Sequence, residues 1–363
     1  MNTKKPPTLI VAGGGTGGHV LAGIAVADEW KKSYGESARV LFVGAKGKIE
    51  EDLVPRAGYP LKVVSLGTLN RVSFFTRLKT FLQLPVVLTQ MIFLVLKEKP
   101  TVVLGVGGYA SGPIVLCAGL LGWLWKGKSA ILEQNAVPGL TNRLLKPFVT
   151  DIFSAFKETK KFFDNKRVVV TGNPIRSEYR PLDSAVKDPF TIFIFGGSQG
   201  SVGINSIFLE ALTLLKEQKS VIKIIHQTGK SDFNRVKSGY DELGFNVEVE
   251  SFIYDMAEAY KKASLIISRA GSSTLSEIAA VKRAAILIPL PTAANNHQEK
   301  NAKQYASAGA SYMLLENSSS AKDLAEMIKK MISQPDLIRS MENNVGQFYR
   351  PHAAQEIVKN LFS

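Results

Sequence analysis

The chain has 363 residues, and at about 100 to 200 residues per domain that length predicts two domains. A hydrophobic share of 45% beside 21% charged residues excludes a disordered chain and describes well-filled cores. Lys and Arg number 45 against 31 Asp and Glu, a net charge of +14 that favours anionic partners, and the single cysteine, Cys117, rules out an internal disulfide or a cysteine-built metal site.

With no cleavable signal pattern in MNTKKPPTLI, a cytoplasmic location is expected. In chain order, short apolar runs alternate with helix-length stretches. TLIVA precedes a helix over Gly18 to Lys32, RVLFV one over Ile49 to Arg56, and LKVVS one over Arg71 to Lys97. TVVLG, SAILE, DIFSA and RVVVT follow. Apolar strands of four to six residues with little alternation predict a parallel sheet covered on both faces. The most hydrophobic segment, Leu84 to Leu96, contains Pro85, Thr89 and Gln90 and falls short of the ~20 apolar residues of a membrane span, so a buried or interfacial helix is expected.

The pattern restarts at TIFIFGGSQGS, a counterpart of TLIVAGGGTGG, and continues through SVIKIIHQ, NVEVES, ASLIIS, AAILIP and SYMLLE. The fold class is therefore α/β, with two Rossmann-like doubly wound domains and a cleft between them. The proline- and charge-rich stretch between Val170 and Pro189 carries the boundary. Domains are expected at 1–172 and 173–350, with a last helix over about 351–363.

The glycine turns carry the chemistry. Five of the six residues from Gly13 to Gly18 are glycine, and bare amides at a helix start suit a phosphate or pyrophosphate. Gly13, Gly15 and Gly18 satisfy GxGxxG, but a dinucleotide site wants an acid after the next strand, where this chain has Lys46 and Lys48. A Walker loop fails because His19 stands in place of the lysine. GVGGYASGP from Gly105, GGSQGSVG from Gly196 and SRAGSSTLSE from Ser268 are three further loops of this kind. Glu277, about a turn into the last of these helices, fits either the vicinal hydroxyls of a ribose or a capping role.

GGGTGGH (Gly13–His19), GVGGYASGP (Gly105–Pro113), EQNAVPGLTNR (Glu133–Arg143), TGNPIR (Thr171–Arg176), GGSQGS (Gly196–Ser201) and SRAGSSTLSEIAA (Ser268–Ala280) together resemble the MurG family. These bacterial N-acetylglucosaminyltransferases convert lipid I to lipid II in peptidoglycan synthesis. The resemblance implies a glycosyltransferase-B fold, UDP-GlcNAc in the C-terminal domain, acceptor lipid in the N-terminal one, and a last helix that returns to the N-terminal domain. It also implies inversion at the anomeric carbon, no cofactor and no catalytic metal.

By family position, Arg176 and Ser198 approach the donor phosphates, the Ile253 backbone holds the uracil, Thr274 and Glu277 lie at the nucleotide, and Gln298 contacts the GlcNAc hydroxyls. His297 departs from a glutamine found in some members. Thr16, Gly17, Gly18 and Asn135 are candidates for either substrate, and Gly14, Gly15, Gly107, Gly108 and Tyr109 for the acceptor. His19 is the candidate general base, since imidazole titrates near neutrality, with acceptor binding as its rival role. His226 and His352 are read as structural.

A lipid-bound acceptor implies a peripheral protein on the cytoplasmic face of the cell membrane. Phe74, Phe75, Leu78, Phe81, Trp123 and Trp125, interleaved with Arg and Lys, are the candidate membrane-facing residues for an anionic surface. No nucleic-acid motif is visible, so no nucleic acid is expected as a partner. The nearer alternative is another two-Rossmann sugar-nucleotide enzyme, a UDP-GlcNAc epimerase or a glycolipid synthase.

Overall fold

The computed structural model describes residues 6–66, 74–163, 168–183 and 188–362, with the side chains of 74–81 outside that set. The chain divides into two units, Met1–Ser177 with His352–Ser363, and Glu178–Pro351.

The N-terminal unit begins β1 (Thr8–Gly13), α1 (Gly17–Tyr34), β2 (Arg39–Ala45), α2 (Glu50–Arg56), β3 (Leu61–Val64) and α3 (Phe74–Glu98). It continues with β4 (Val102–Gly107), α4 (Ser111–Leu121), β5 (Lys128–Glu133), α5 (Leu140–Leu145), β6 (Asp151–Ser154) and β7 (Val168–Val170). Every expected strand forms. The sheet is parallel throughout in the order β3-β2-β1-β4-β5-β6-β7. Alternate residues of β1 feed opposite faces: Leu9 and Val11 join a core with α1, whereas Ile10 and Ala12 join one with α3 and α4. Both faces are covered, which is why the strands read as unbroken apolar runs.

The C-terminal unit runs β8 (Phe190–Phe195), α6 (Val202–Thr213), β9 (Ile222–Gln227), α7 (Phe233–Leu243), β10 (Asn246–Glu250), α8 (Met256–Lys262) and β11 (Leu265–Ser268). It ends with α9 (Ser272–Val281), β12 (Ala285–Leu287), α10 (His297–Ser307), β13 (Tyr312–Met313), α11 (Ala321–Ser333) and α12 (Pro335–Val345). Its parallel sheet has the order β10-β9-β8-β11-β12-β13. α11 starts with a full capping box between Ser320 and Asp323, satisfying two otherwise open amides.

The final helix, α13 (Ala353–Phe362), buries Ile357, Val358 and Leu361 in the core that holds α1. An aromatic contact fixes it there: the Tyr34 and Phe362 ring centres are 4.6 Å apart, and Trp30 packs edge-on to Tyr34.

Candidate active site

Each sheet reverses its strand order once, between β1 and β4 and between β8 and β11, and the carboxyl ends of those pairs are where ligands bind in open α/β sheets. In the N-terminal unit the β1 and β4 registers shift at Ala12/Gly13, so Gly13 pairs with Gly107 and the two glycine loops leave the sheet side by side.

The loops are bare for two different reasons. A Cβ at Gly108 would lie 2.4 Å from the Gly14 carbonyl oxygen, and one at Gly14 would lie 2.0 Å from a Glu50 carboxylate oxygen. These glycines let the loops pack on one another and on Glu50. Gly15, at φ +80°, has no neighbour within 4 Å of a built Cβ, which leaves open space for a ligand.

Glu50 is the support beneath the first loop. It is buried, and its two oxygens accept from the amides of Gly15 and Ala45, each at 2.9 Å. The sequence pattern does not single it out, because the dinucleotide motif concerns an acid at the end of β2 and Glu50 stands at the start of the next helix.

Thr16 is the N-cap of α1, its hydroxyl accepting from the His19 amide. His19 Nδ1 lies 3.2 Å from the Gly14 carbonyl oxygen and 3.0 Å from Thr16 Oγ1. A carbonyl only accepts, so the Gly14 contact is a hydrogen bond in the tautomer with the proton on Nδ1, and in that tautomer Nε2 is the acceptor. Nε2 sits against the second loop, 2.8 Å from the Cβ position of Gly107. Tyr109 follows, half-buried, at the turn into α4.

Asn135 belongs to a network around Glu133. That carboxylate, wholly buried, accepts from the amides of Asn135 and Gly139 and from the side chains of Asn135 and Asn142. Burial pushes its pKa up, and the four bonds pull against that. Arg176 is half-buried in the same unit.

In the C-terminal unit, Ser201 caps α6 by accepting from the Ile204 amide, and Ser198 is exposed in the loop before it. Arg269, absent from the sequence reading, is buried and ties the strand ends together. It donates to Ser201 Oγ at 2.6 Å and to the carbonyls of Ile288 and Pro289, and it pairs with Glu316.

Glu277 is not a cap: α9 starts at Ser272 with Gly271 as its N-cap, which places Glu277 beyond the first turn, and its buried carboxylate accepts from the Tyr260 hydroxyl. Thr274 is half-buried one turn before it. The Ile253 amide donates to the Gln227 side chain, and Gln298 accepts from the Leu290 amide at 3.0 Å. His297 donates from Nδ1 to the Ala294 carbonyl, and burial lowers its pKa.

Phe74, Phe75, Leu78 and Phe81 lie outside the described residues as side chains. Trp123 is exposed. Trp125 is half-buried, packs against the α/β core and donates its indole N–H to the Pro100 carbonyl. The two tryptophans are two apart in a 3-10 turn of about three residues, so they point different ways. Among the described residues no helix is long and apolar enough to cross a membrane.

Residues 9–154 match the glycosyltransferase family 28 N-terminal domain, and residues 191–359 match the glycosyltransferase family 28 C-terminal domain. Two relatives each cover 96% of this chain. One from Myxococcus xanthus is 41% identical, with 91% of its own length covered, and one from Syntrophus aciditrophicus is 42% identical, with 96% covered. Both are named UDP-N-acetylglucosamine--N-acetylmuramyl-(pentapeptide) pyrophosphoryl-undecaprenol N-acetylglucosamine transferase. The crystal structure of Acinetobacter baumannii MurG superposes with a TM-score of 0.78 at 28% identity, covering 98% of this chain and 99% of that one. The Staphylococcus aureus MnaA–UDP structure gives 0.67 at 13% identity, covering 98% and 96%, a likeness of fold alone.

Fold and matches together define a two-domain glycosyltransferase of the glycosyltransferase-B type. Within that class the chain belongs to the MurG family of glycosyltransferase family 28.

Proposed function

We propose that the protein is an inverting N-acetylglucosaminyltransferase, which moves GlcNAc from UDP-GlcNAc to the MurNAc hydroxyl of undecaprenyl-pyrophosphoryl-MurNAc-pentapeptide, lipid I, and so makes lipid II for the cell wall. The observation that carries this is identity of 41% to 42% across 96% of the chain to relatives named for that transfer.

Lipid I pairs with the N-terminal unit's glycine loops and UDP-GlcNAc with those of the C-terminal unit. As the acceptor oxygen bonds to the anomeric carbon, the bond from that carbon to the diphosphate oxygen breaks and UDP leaves with the electron pair. His19 Nε2 takes the hydroxyl proton, in the tautomer whose Nδ1–H donates to the Gly14 carbonyl. Charge growing on the departing diphosphate is met by the amides at the α6 N-terminus, the Ser198 hydroxyl and Arg176, donors that act mainly in the transition state. Glu277 takes the ribose hydroxyls, the Ile253 backbone the uracil, and Thr274 and Gln298 the rest of the donor. Gly14, Gly15, Gly107, Gly108 and Tyr109 line the acceptor side, with Thr16, Gly17, Gly18 and Asn135.

The acceptor's lipid keeps the protein peripheral, at the cytoplasmic face. Leu82, Val86 and Phe93 of α3, Trp123, and Leu140 and Leu144 of α5 are exposed apolar groups on a basic protein, which suits an anionic bilayer surface.

Incubation with UDP-[14C]GlcNAc and lipid I tests the reading. Label should pass to the lipid only when both substrates are present, with a β-linkage in the product. Conversion of UDP-GlcNAc in the absence of lipid would favour the epimerase alternative.

A further inference from the structure

Gln227 ends β9 and is buried. Its primary amide bridges two backbone segments that no strand pairing joins. Nε2 donates to the Gly197 carbonyl at 3.0 Å, in the loop that follows β8. Oε1 accepts from the Ile253 amide at 2.7 Å, in the turn that follows β10. One end meets a donor and the other an acceptor, so only this orientation of the amide satisfies both.

The bridge has a consequence for the nucleotide. Gly197 lies in the loop that leads into the α6 N-terminus, and Ile253 is the backbone position facing the base in the functional reading. One rigid side chain therefore sets the spacing of the two segments. While that bond stands, the N–H of residue 253 is engaged by Gln227, which fixes this turn relative to the Gly197 loop.

We propose that Gln227 is a positioning residue for the donor nucleotide, holding the phosphate loop and the base-facing segment in the spacing that a uridine diphosphate requires. This rests on the reading that those two segments take UDP-GlcNAc.

The test uses the full-length enzyme with Gln227→Met, which removes both hydrogen bonds at nearly constant volume, and Gln227→Glu. The Met variant should raise the KM for UDP-GlcNAc and the inhibition constant of UDP about tenfold, the cost of two net hydrogen bonds. Its kcat should stay within about twofold and its KM for lipid I should not move. The Glu variant, when protonated, restores a donor toward Gly197 and an acceptor toward Ile253. Its donor KM should therefore lie nearer the wild-type value at about pH 6 than at about pH 8.

A merely structural role predicts lower kcat and a lower melting temperature with donor KM unchanged, and that result overturns the proposal. Tighter UDP binding in the Met variant overturns it as well. Should the Met variant not fold, the pH dependence of the Glu variant decides: a flat donor KM counts against the proposal. A wild-type enzyme that does not bind UDP would overturn the functional reading itself, whereas wild-type binding with unchanged variants overturns this inference alone.

Discussion

The Tyr260 hydroxyl donates to Glu277 Oε2 at 2.9 Å, with both side chains buried in the C-terminal unit. The bond reaches from α8 to α9 and fixes the rotamer of the carboxylate assigned to the ribose. Tyr260 is itself held edge-on by Phe193, Phe195 and Tyr179. Tyr260→Phe removes only the hydroxyl, and a hydrogen bond to a charged group contributes about 1.5 to 3 kcal/mol. The KM for UDP-GlcNAc should rise at least about tenfold while lipid I affinity holds. Unchanged donor binding by titration calorimetry would detach Tyr260 from the nucleotide site.

For His19→Ala, removal of a general base should lower kcat by roughly 10² to 10⁴. Calorimetric UDP affinity should be retained. Normal kcat with a raised acceptor KM would instead assign the imidazole to acceptor binding.

Glu50→Gln keeps the size of the side chain but turns an NH₂ toward a backbone N–H that needs an acceptor. Leaving that buried donor unsatisfied costs about 1 to 3 kcal/mol. The first glycine loop should loosen, lowering the melting temperature and raising the KM for lipid I with donor KM unchanged. Stability and kinetics identical to wild type would remove Glu50 from the support of that loop.

Burial holds His226 neutral, its pKa pushed down from 6.5 to about 3, with Tyr240 and Asn205 bonded to its two ring nitrogens. Below about pH 6.5 the unfolded chain takes up a proton that the folded one refuses, so stability present above that pH is lost as pH falls toward 3. The slope is about 1.4 kcal/mol per pH unit from this group. His226→Gln should show a shallower loss of melting temperature between pH 7 and pH 4. Parallel curves for the two proteins would contradict the assignment.

The sheets and their glycine turns were legible because each depends on neighbours in sequence. An apolar run such as TLIVA followed by GGGTGGH specifies a buried strand and a bare turn by itself. The supports beneath the turns were not legible, because each joins distant positions: Glu50 reaches Gly15, Arg269 reaches Ser201, and Gln227 reaches both Gly197 and Ile253. Glu277 could be ribose ligand or cap from sequence, and only the start of α9 at Ser272 removes the cap. The bond from the Trp125 indole to the Pro100 carbonyl likewise joins positions that the local pattern does not connect.

The most direct measurement is a crystal structure of the protein soaked with UDP-GlcNAc. The diphosphate should lie at the loop from Gly196 to Ser201, with the ribose on Glu277 and the base at Ile253. Nucleotide density on the Gly13–His19 loop, or away from both glycine-rich ends of the sheets, would contradict the assignment of the two substrates.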